Sequence, residues 1–253
     1  MSNPTAIPVE DPAVVTVENS VPPAIQVGPD TPLRAYWSAR AHQHTQDRYL
    51  GIKMSKFPED LRVYEHLMWV GAPDTIVELG AQSGASTLWL RDRLRTLHAY
   101  GALATDTPPR VIAVDIDLDA ARHNVGVRDP RWADSISFVE GDVQDPEVRA
   151  RVGACIPRGA VCMVIEDSAH VYATTKAALE LYSDLIAPGS FFVVEDGCVD
   201  VPWMRIKTDW PEGVLPALNE WLATPQGSAF RVRRELEVYG VSCHPSGFLQ
   251  RVG

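Results

Sequence analysis

The sequence predicts an α/β protein built on a doubly wound, mostly parallel sheet. Three observations carry this expectation. TIVEL (75–79), RVIAVDI (110–116), SISFVEG (135–141), VCMVIED (161–167) and FFVVED (191–196) are apolar runs of strand length. Segments with helical periodicity separate them, the alternation that gives parallel strands with helices on both faces. The C-terminal part breaks that rhythm. FRVRRELEVYGVSCHPSGFLQRV reads as two strands joined around His244-Pro245-Ser246-Gly247, an antiparallel hairpin at the sheet edge.

The elements follow in order. Residues 1–32 hold seven of the twenty prolines, and their only charges are Glu10, Asp11, Glu18 and Asp30. That composition predicts a flexible tail or an arm for a neighbouring subunit, with Val14, Val15 and Val17 as its apolar grip. From Pro32 the pattern turns helical, and LRAYWSARAHQHTQDRYL is expected to stay so up to Gly51. A second helix, Glu59 to Val70, carries Leu61, Tyr64, Leu67 and Met68 at helical spacing. Further helices are expected over Gly84–His98, Leu118–Asn124, from Pro146, over Val171–Leu185 and over Val214–Leu222. Residues 33–253 then form one domain, with 33–70 as a helical cap.

Bulk properties narrow the function. A formal charge of −10 argues against a nucleic-acid partner, which needs a basic surface. No apolar run approaches a membrane span, and no secretory signal opens the chain. The four cysteines, Cys155, Cys162, Cys198 and Cys243, show no metal-ligand spacing and read as reduced thiols. A cytoplasmic protein is expected.

Ligands of such sheets bind beyond the carboxyl ends of the strands, so strand endings are informative. The first strand ends VELGAQSGAS, where Glu78 precedes a loop with Gly80, Ser83 and Gly84. This is not the dinucleotide fingerprint G-x-G-x-x-G. An acid there would suit an amino group better than a pyrophosphate. Asp115 ends the second strand, placed for ribose hydroxyls, and Asp142 follows the third, placed for an adenine amino group. Taken singly, each acid also suits a helix cap or a solvated strand end. Together Glu78, Gly80, Ser83, Asp115 and Asp142 predict a site for adenosine plus an amino acid without phosphates, which is S-adenosylmethionine.

The fourth and fifth strands end in Asp167 and in Glu195-Asp196. Carboxylates about 4 Å apart repel by about 4 kcal/mol at an effective dielectric near 20, so such a cluster holds a proton or a cation. Three oxygen ligands suit Mg²⁺. Both neighbours Glu195 and Asp196 can serve only where the pleat breaks, and Gly197 would permit that. Helix capping or exposed loop acids would leave the same pattern. His170 is a candidate general base, although a lone histidine is more often structural. Trp203 and Trp210 could form a lid or plain aromatic packing.

From about Tyr49 onward the chain resembles the cephalosporin hydroxylase and rhamnosyl O-methyltransferase family, itself similar to metal-dependent methyltransferases of macrolide sugars. The resemblance rests on YLGIKMSKFPEDLRVYEHL, IVELGAQSGAS, VIAVDID, DSAH (167–170), VVED and PSGFLQR. It implies a class I, Rossmann-like methyltransferase fold using S-adenosylmethionine and Mg²⁺, and commonly a homo-oligomer. It matches Asp167, Glu195 and Asp196 to metal ligands, His170 to the base, and Glu78, Gly80, Asp115 and Asp142 to cofactor contacts. Ala169 stands where some relatives carry an acidic base, which gives His170 more weight. The loop with Lys56, Pro58 and Asp60 matches a segment near the active site and receives no role. The expected activity is O-methylation of a sugar hydroxyl on a glycosylated natural product, as in antibiotic biosynthesis, with a small-molecule glycoside as partner. A catechol-like O-methyltransferase and a cofactor-binding accessory protein are the alternatives.

Overall fold

The computed structural model describes residues 21–103 and 105–253. Most of the predicted tail, including its valines, lies outside the described residues. The chain runs α1 (Leu33–Gln43), β1 (Arg48–Tyr49), β2 (Ile52–Lys53), α2 (Pro58–Gly71), β3 (Thr75–Leu79), α3 (Ala85–Ala99), β4 (Arg110–Asp115) and α4 (Asp119–Arg128). It continues with β5 (Ile136–Glu140), α5 (Pro146–Cys155), β6 (Cys162–Glu166), α6 (Tyr172–Tyr182), β7 (Phe191–Val194), α7 (Val214–Leu222), β8 (Phe230–Val232) and β9 (Phe248–Arg251). Among these elements no helix is long and apolar enough to cross a membrane.

The seven-stranded sheet has the order β5-β4-β3-β6-β7-β9-β8. Strands β3 to β7 pair in parallel, while β9 is antiparallel to both β7 and β8. The expected edge hairpin is therefore present, and its second strand inserts between its first and the parallel body.

One expectation fails early. The helix from Leu33 ends at Gln43 and does not reach Gly51. Arg48–Tyr49 and Ile52–Lys53 instead form a two-stranded hairpin, with Leu50 (φ 51) and Gly51 (φ 76) both left-handed at its turn. The turn requirement overrides the helical reading of the segment.

Pleating sorts the apolar residues onto two faces. Ile76, Val111, Met163, Ile165 and Val193 pack with Tyr64, Leu67 and Met68 of α2 and Leu88 and Leu94 of α3. Val77, Ile112, Val164, Phe192 and Val194 face the other way, against Val148 and Val152 of α5, Leu179 and Tyr182 of α6, and Leu218 and Trp221 of α7. Helix starts follow local chemistry. Pro58 opens α2 with Glu59 and Asp60 in its first turn, and Asp145 caps α5 by accepting from the Glu147 N–H at 2.8 Å.

The order reverses between β3 and β6, the switch point of the sheet. There the loop after β3 crosses the end of β6 so closely that a Cβ on Gly80 would lie 2.0 Å from the Asp167 carbonyl oxygen. With φ of 102° at Gly80, only glycine serves at this crossing.

Candidate active site

Sheet register explains why two buried strands finish in acids. Leu79 is level with Glu166, and Glu166 with Val194. Pairing then runs one residue further, with Asp167 N–H donating to Leu79 O at 2.8 Å and Glu195 N–H to Glu166 O at 2.9 Å. Gly80, Asp167 and Glu195 thus form one rim. The pleat breaks at Asp196 itself (φ 57), rather than at the expected Gly197, and a carboxylate oxygen of Asp196 stays within 4.8 Å of one of Glu195.

The rim divides into an inner and an outer part. Inside, the Lys56 ammonium donates to Asp167 Oδ2 at 2.5 Å and to both Glu195 oxygens at 2.6 Å. Tyr64 OH also donates to Glu195 Oε1 at 2.5 Å. His244 lies beneath, with its Nε2 3.7 Å from Glu195 and 3.7 Å from Asp60. The Asp196 N–H donates to His244 Nδ1 at 3.0 Å, so a neutral His244 ring carries its proton on Nε2. Asp60 accepts in turn from Ser242 Oγ at 2.6 Å and the Cys243 N–H at 3.0 Å.

These contacts set the charges. Burial alone would lower the Lys56 ammonium, but Asp167 and Glu195 raise it above its ordinary value. Burial pushes Glu195 upward, yet Lys56 and then His244 outweigh it and hold this carboxyl below the usual range. Asp167 is raised well above its usual value by burial and by the Glu195 charge, against the pull of Lys56. The inner site therefore has its own cation.

The outer part comprises Asp167, His170 and Asp196, whose ligand atoms lie within 4.8 Å of one another. His170 Nε2 is 3.4 Å from Asp196 Oδ2 and 3.8 Å from Asp167 Oδ1. His170 is left-handed (φ 52), and its buried Nδ1 has no hydrogen-bond partner. The donor set suits a hard divalent cation at Asp167 and Asp196. Glu195, predicted as the third ligand, accepts from Lys56 and Tyr64 and also forms a group with Asp196 and His244 whose ligand atoms lie within 4.8 Å of one another.

Two cavities meet here. One, of about 210 Å³, lies against the glycine loop and is lined by Gly80, Gln82, Ser83, Ser86, Asp167 and Ser168 among others. The second, of about 360 Å³, has walls from Trp37, Met204, Ile206 and Trp210. His44, His170 and Asp196 line both. Trp210 hangs over the site, its Nε1 donating to His170 O at 3.1 Å. Trp203 instead packs edge-on against Trp37. The wall segment after β7 is closed at its base, where both Asp200 oxygens accept from the N–H groups of Gly213 (2.9 Å) and Leu215 (2.6 Å).

The five predicted cofactor residues separate. Gly80 and Ser83 line the first cavity, although Ser83 Oγ is committed to Lys53 O at 2.5 Å. Asp115 Oδ2 accepts from the N–H groups of Ala81 (3.0 Å) and Gln82 (2.8 Å), bracing the loop that forms this cavity. Asp142 is exposed and caps a turn by accepting from the Gln144 N–H at 2.9 Å. Glu78 is buried beneath the loop and accepts from Thr87 Oγ1. Burial, opposed by its Ser86 and Thr87 hydrogen bonds, pushes its carboxyl up to about 7. Glu78 and Asp142 are not among the residues lining the cavity. Lys56, Tyr64, Asp60 and His44 are the residues the sequence reading left without a role. Two signals pointed toward Lys56: its loop matches a segment near the active site in the resembled family, and the acidic strand ends lack a basic partner nearby in sequence.

Strand order, switch-point loop and paired cavities define a class I methyltransferase fold. A family model described as rhamnosyl O-methyltransferase/CmcI matches residues 41–252, and the chain belongs to that family. The structure is similar to that of CmcI with Mg and SAM, at 24% identity and TM-score 0.59, over 92% of this chain and 90% of that chain. It is also similar to the CmcI apo-structure, at 23% identity and TM-score 0.58, over 92% and 89%. A CmcI structure with SAH gives 22% identity and TM-score 0.53, over 91% and 97%. No curated protein matches the chain.

Proposed function

We propose that the protein is an S-adenosylmethionine- and Mg²⁺-dependent O-methyltransferase whose acceptor is a sugar hydroxyl of a glycosylated natural product. The observation that carries this reading is the meeting of a polar cavity and an aromatic-walled one at His170 and Asp196. A group transfer between two bound molecules needs such a shared wall, because holding both reactants in near-attack geometry supplies much of the acceleration.

The loop of Gly80, Ala81 and Ser83 would hold the cofactor, and Asp167 and Asp196 the metal. When bound, S-adenosylmethionine supplies an electrophilic methyl group and Mg²⁺ supplies Lewis acidity toward the acceptor hydroxyl. His170 takes the acceptor proton at Nε2, the ring nitrogen turned to the two carboxylates. Trp210 presents an apolar surface to the acceptor and excludes water, with the buried Trp37 backing the wall. Lys56 keeps Glu195 and the inner oxygen of Asp167 in place from behind. Aromatic walls also suit a planar ring, so a catechol is the competing acceptor. Self-association belongs to the same reading and is measured by light scattering.

The test is transfer of a labelled methyl group from S-adenosylmethionine to rhamnosides and other deoxysugar glycosides, with catechols in parallel. Transfer to a glycoside that stops with chelator and with His170→Gln is expected. Full activity in chelator would remove the metal from the scheme, and transfer to catechols alone would reassign the acceptor.

A further inference from the structure

The region beyond β7 holds a second group of potential ligands, of different chemistry. One oxygen of Asp196 and the sulfur atoms of Cys198 and Cys243 lie within 4.8 Å of one another. The two cysteines are far apart in sequence, which is why their spacing shows no metal-ligand pattern. The fold joins them. The Cys198 N–H donates to Cys243 O at 3.0 Å, and the Asp196 N–H donates to His244 Nδ1 at 3.0 Å. These backbone N–H bonds thus hold the three residues side by side before any ion arrives. All three residues also line the larger cavity, which leaves an open side for water or another ligand.

Two sulfurs and one carboxylate oxygen with a free position are a donor set for a soft or borderline dication. Zn–S bonds of about 2.3 Å in tetrahedral geometry put two sulfurs about 3.8 Å apart, within the observed spread. Mg²⁺ prefers oxygen ligands and would leave the sulfurs aside. A carboxylate beside the thiols favours a dication there more than it favours a bare thiolate attacking its neighbour.

We propose that Asp196, Cys198 and Cys243 form a binding site for a thiophilic divalent cation of the zinc type. On binding, two metal–sulfur bonds form and both thiol protons pass to solvent, with no electron transferred. Because Asp196 also belongs to the outer group with Asp167 and His170, occupancy of the sulfur site withdraws a ligand from the hard-cation site. The two sites are antagonists.

The reduced full-length chain is titrated with Co²⁺, without S-adenosylmethionine or acceptor, so the outcome is independent of the proposed methyl transfer. A near-ultraviolet sulfur-to-cobalt charge-transfer band that saturates at one equivalent and disappears on adding Zn²⁺ is the expected result. The band is expected to be lost in the double variant Cys198→Ser/Cys243→Ser and, should that chain not fold, in Cys198→Ser alone. Excess Mg²⁺ is expected to raise the Co²⁺ midpoint. Absence of the band from the folded protein, or its survival in the serine variants, overturns the site. Loss of two thiols counted after chelation and denaturation at the end of the titration also overturns it, in favour of a disulfide. A midpoint unmoved by Mg²⁺ overturns the antagonism.

Discussion

Replacing Glu78 with glutamine is expected to stabilise the folded protein at alkaline pH and to change little at pH 4.5. Burial moves this carboxyl from an ordinary 4.5 up to about 7. Between those values the folded chain keeps a proton that the unfolded chain has released. Stability therefore falls as pH rises through the window and stays lowered above it. At about 1.4 kcal/mol for each pH unit, the charged carboxylate costs the fold about 3 kcal/mol at pH 8. Glutamine keeps the shape and can still accept from Thr87, but it never ionises. Urea unfolding of both proteins at pH 5 and pH 8 reads the difference. With a slope of about 3 kcal/mol/M, the variant's midpoint should lie higher by about 1 M at pH 8. A variant equal to or weaker than the parent at pH 8 would refute the burial argument. S-adenosylmethionine affinity should be unchanged by this substitution, and a large loss would return Glu78 to the cofactor role its sequence position implied.

Removing the internal cation by Lys56→Met leaves the buried Glu195 and the half-buried Asp167 facing each other without it. The expected loss is about 3–5 kcal/mol in denaturant unfolding at pH 8, and a loss under about 0.5 kcal/mol would show that Lys56 does not neutralise the rim. Added Mg²⁺ should recover part of that loss if the vacated position takes the ion. Gly80→Ala puts a methyl 2.0 Å from the Asp167 carbonyl oxygen at a left-handed backbone. It should cost at least about 2 kcal/mol, seen as a melting point lower by about 5 °C. Asp196→Asn should weaken Mn²⁺ binding measured by electron paramagnetic resonance, whereas Asp142→Asn, at an exposed turn, should leave it unchanged.

The parallel strands and most of their helices were legible because burial on both faces demands continuous apolar runs, and helices show their period. TIVEL and Val214–Leu222 coincide with their observed elements. The β1–β2 hairpin was not legible, since its turn relies on a left-handed Leu50 that carries no turn signature. Strand endings located the rim, but not which acids face a cavity. Pleat direction places Glu78 on the side of α3, where Thr87 binds it, and a sequence motif carries no record of that. Lys56 escaped for a different reason. It acts across more than a hundred residues of chain, from a loop whose own composition is unremarkable for a surface segment, while the structure buries it.

The Asp200 clamp makes the stretch between Val201 and Glu212 a module with fixed endpoints. Its interior is not independent of the rim, because Trp210 donates to the His170 carbonyl and the Met204 carbonyl accepts from the Trp37 ring. A change of length or sequence inside this closed loop is therefore transmitted to both walls of the larger cavity.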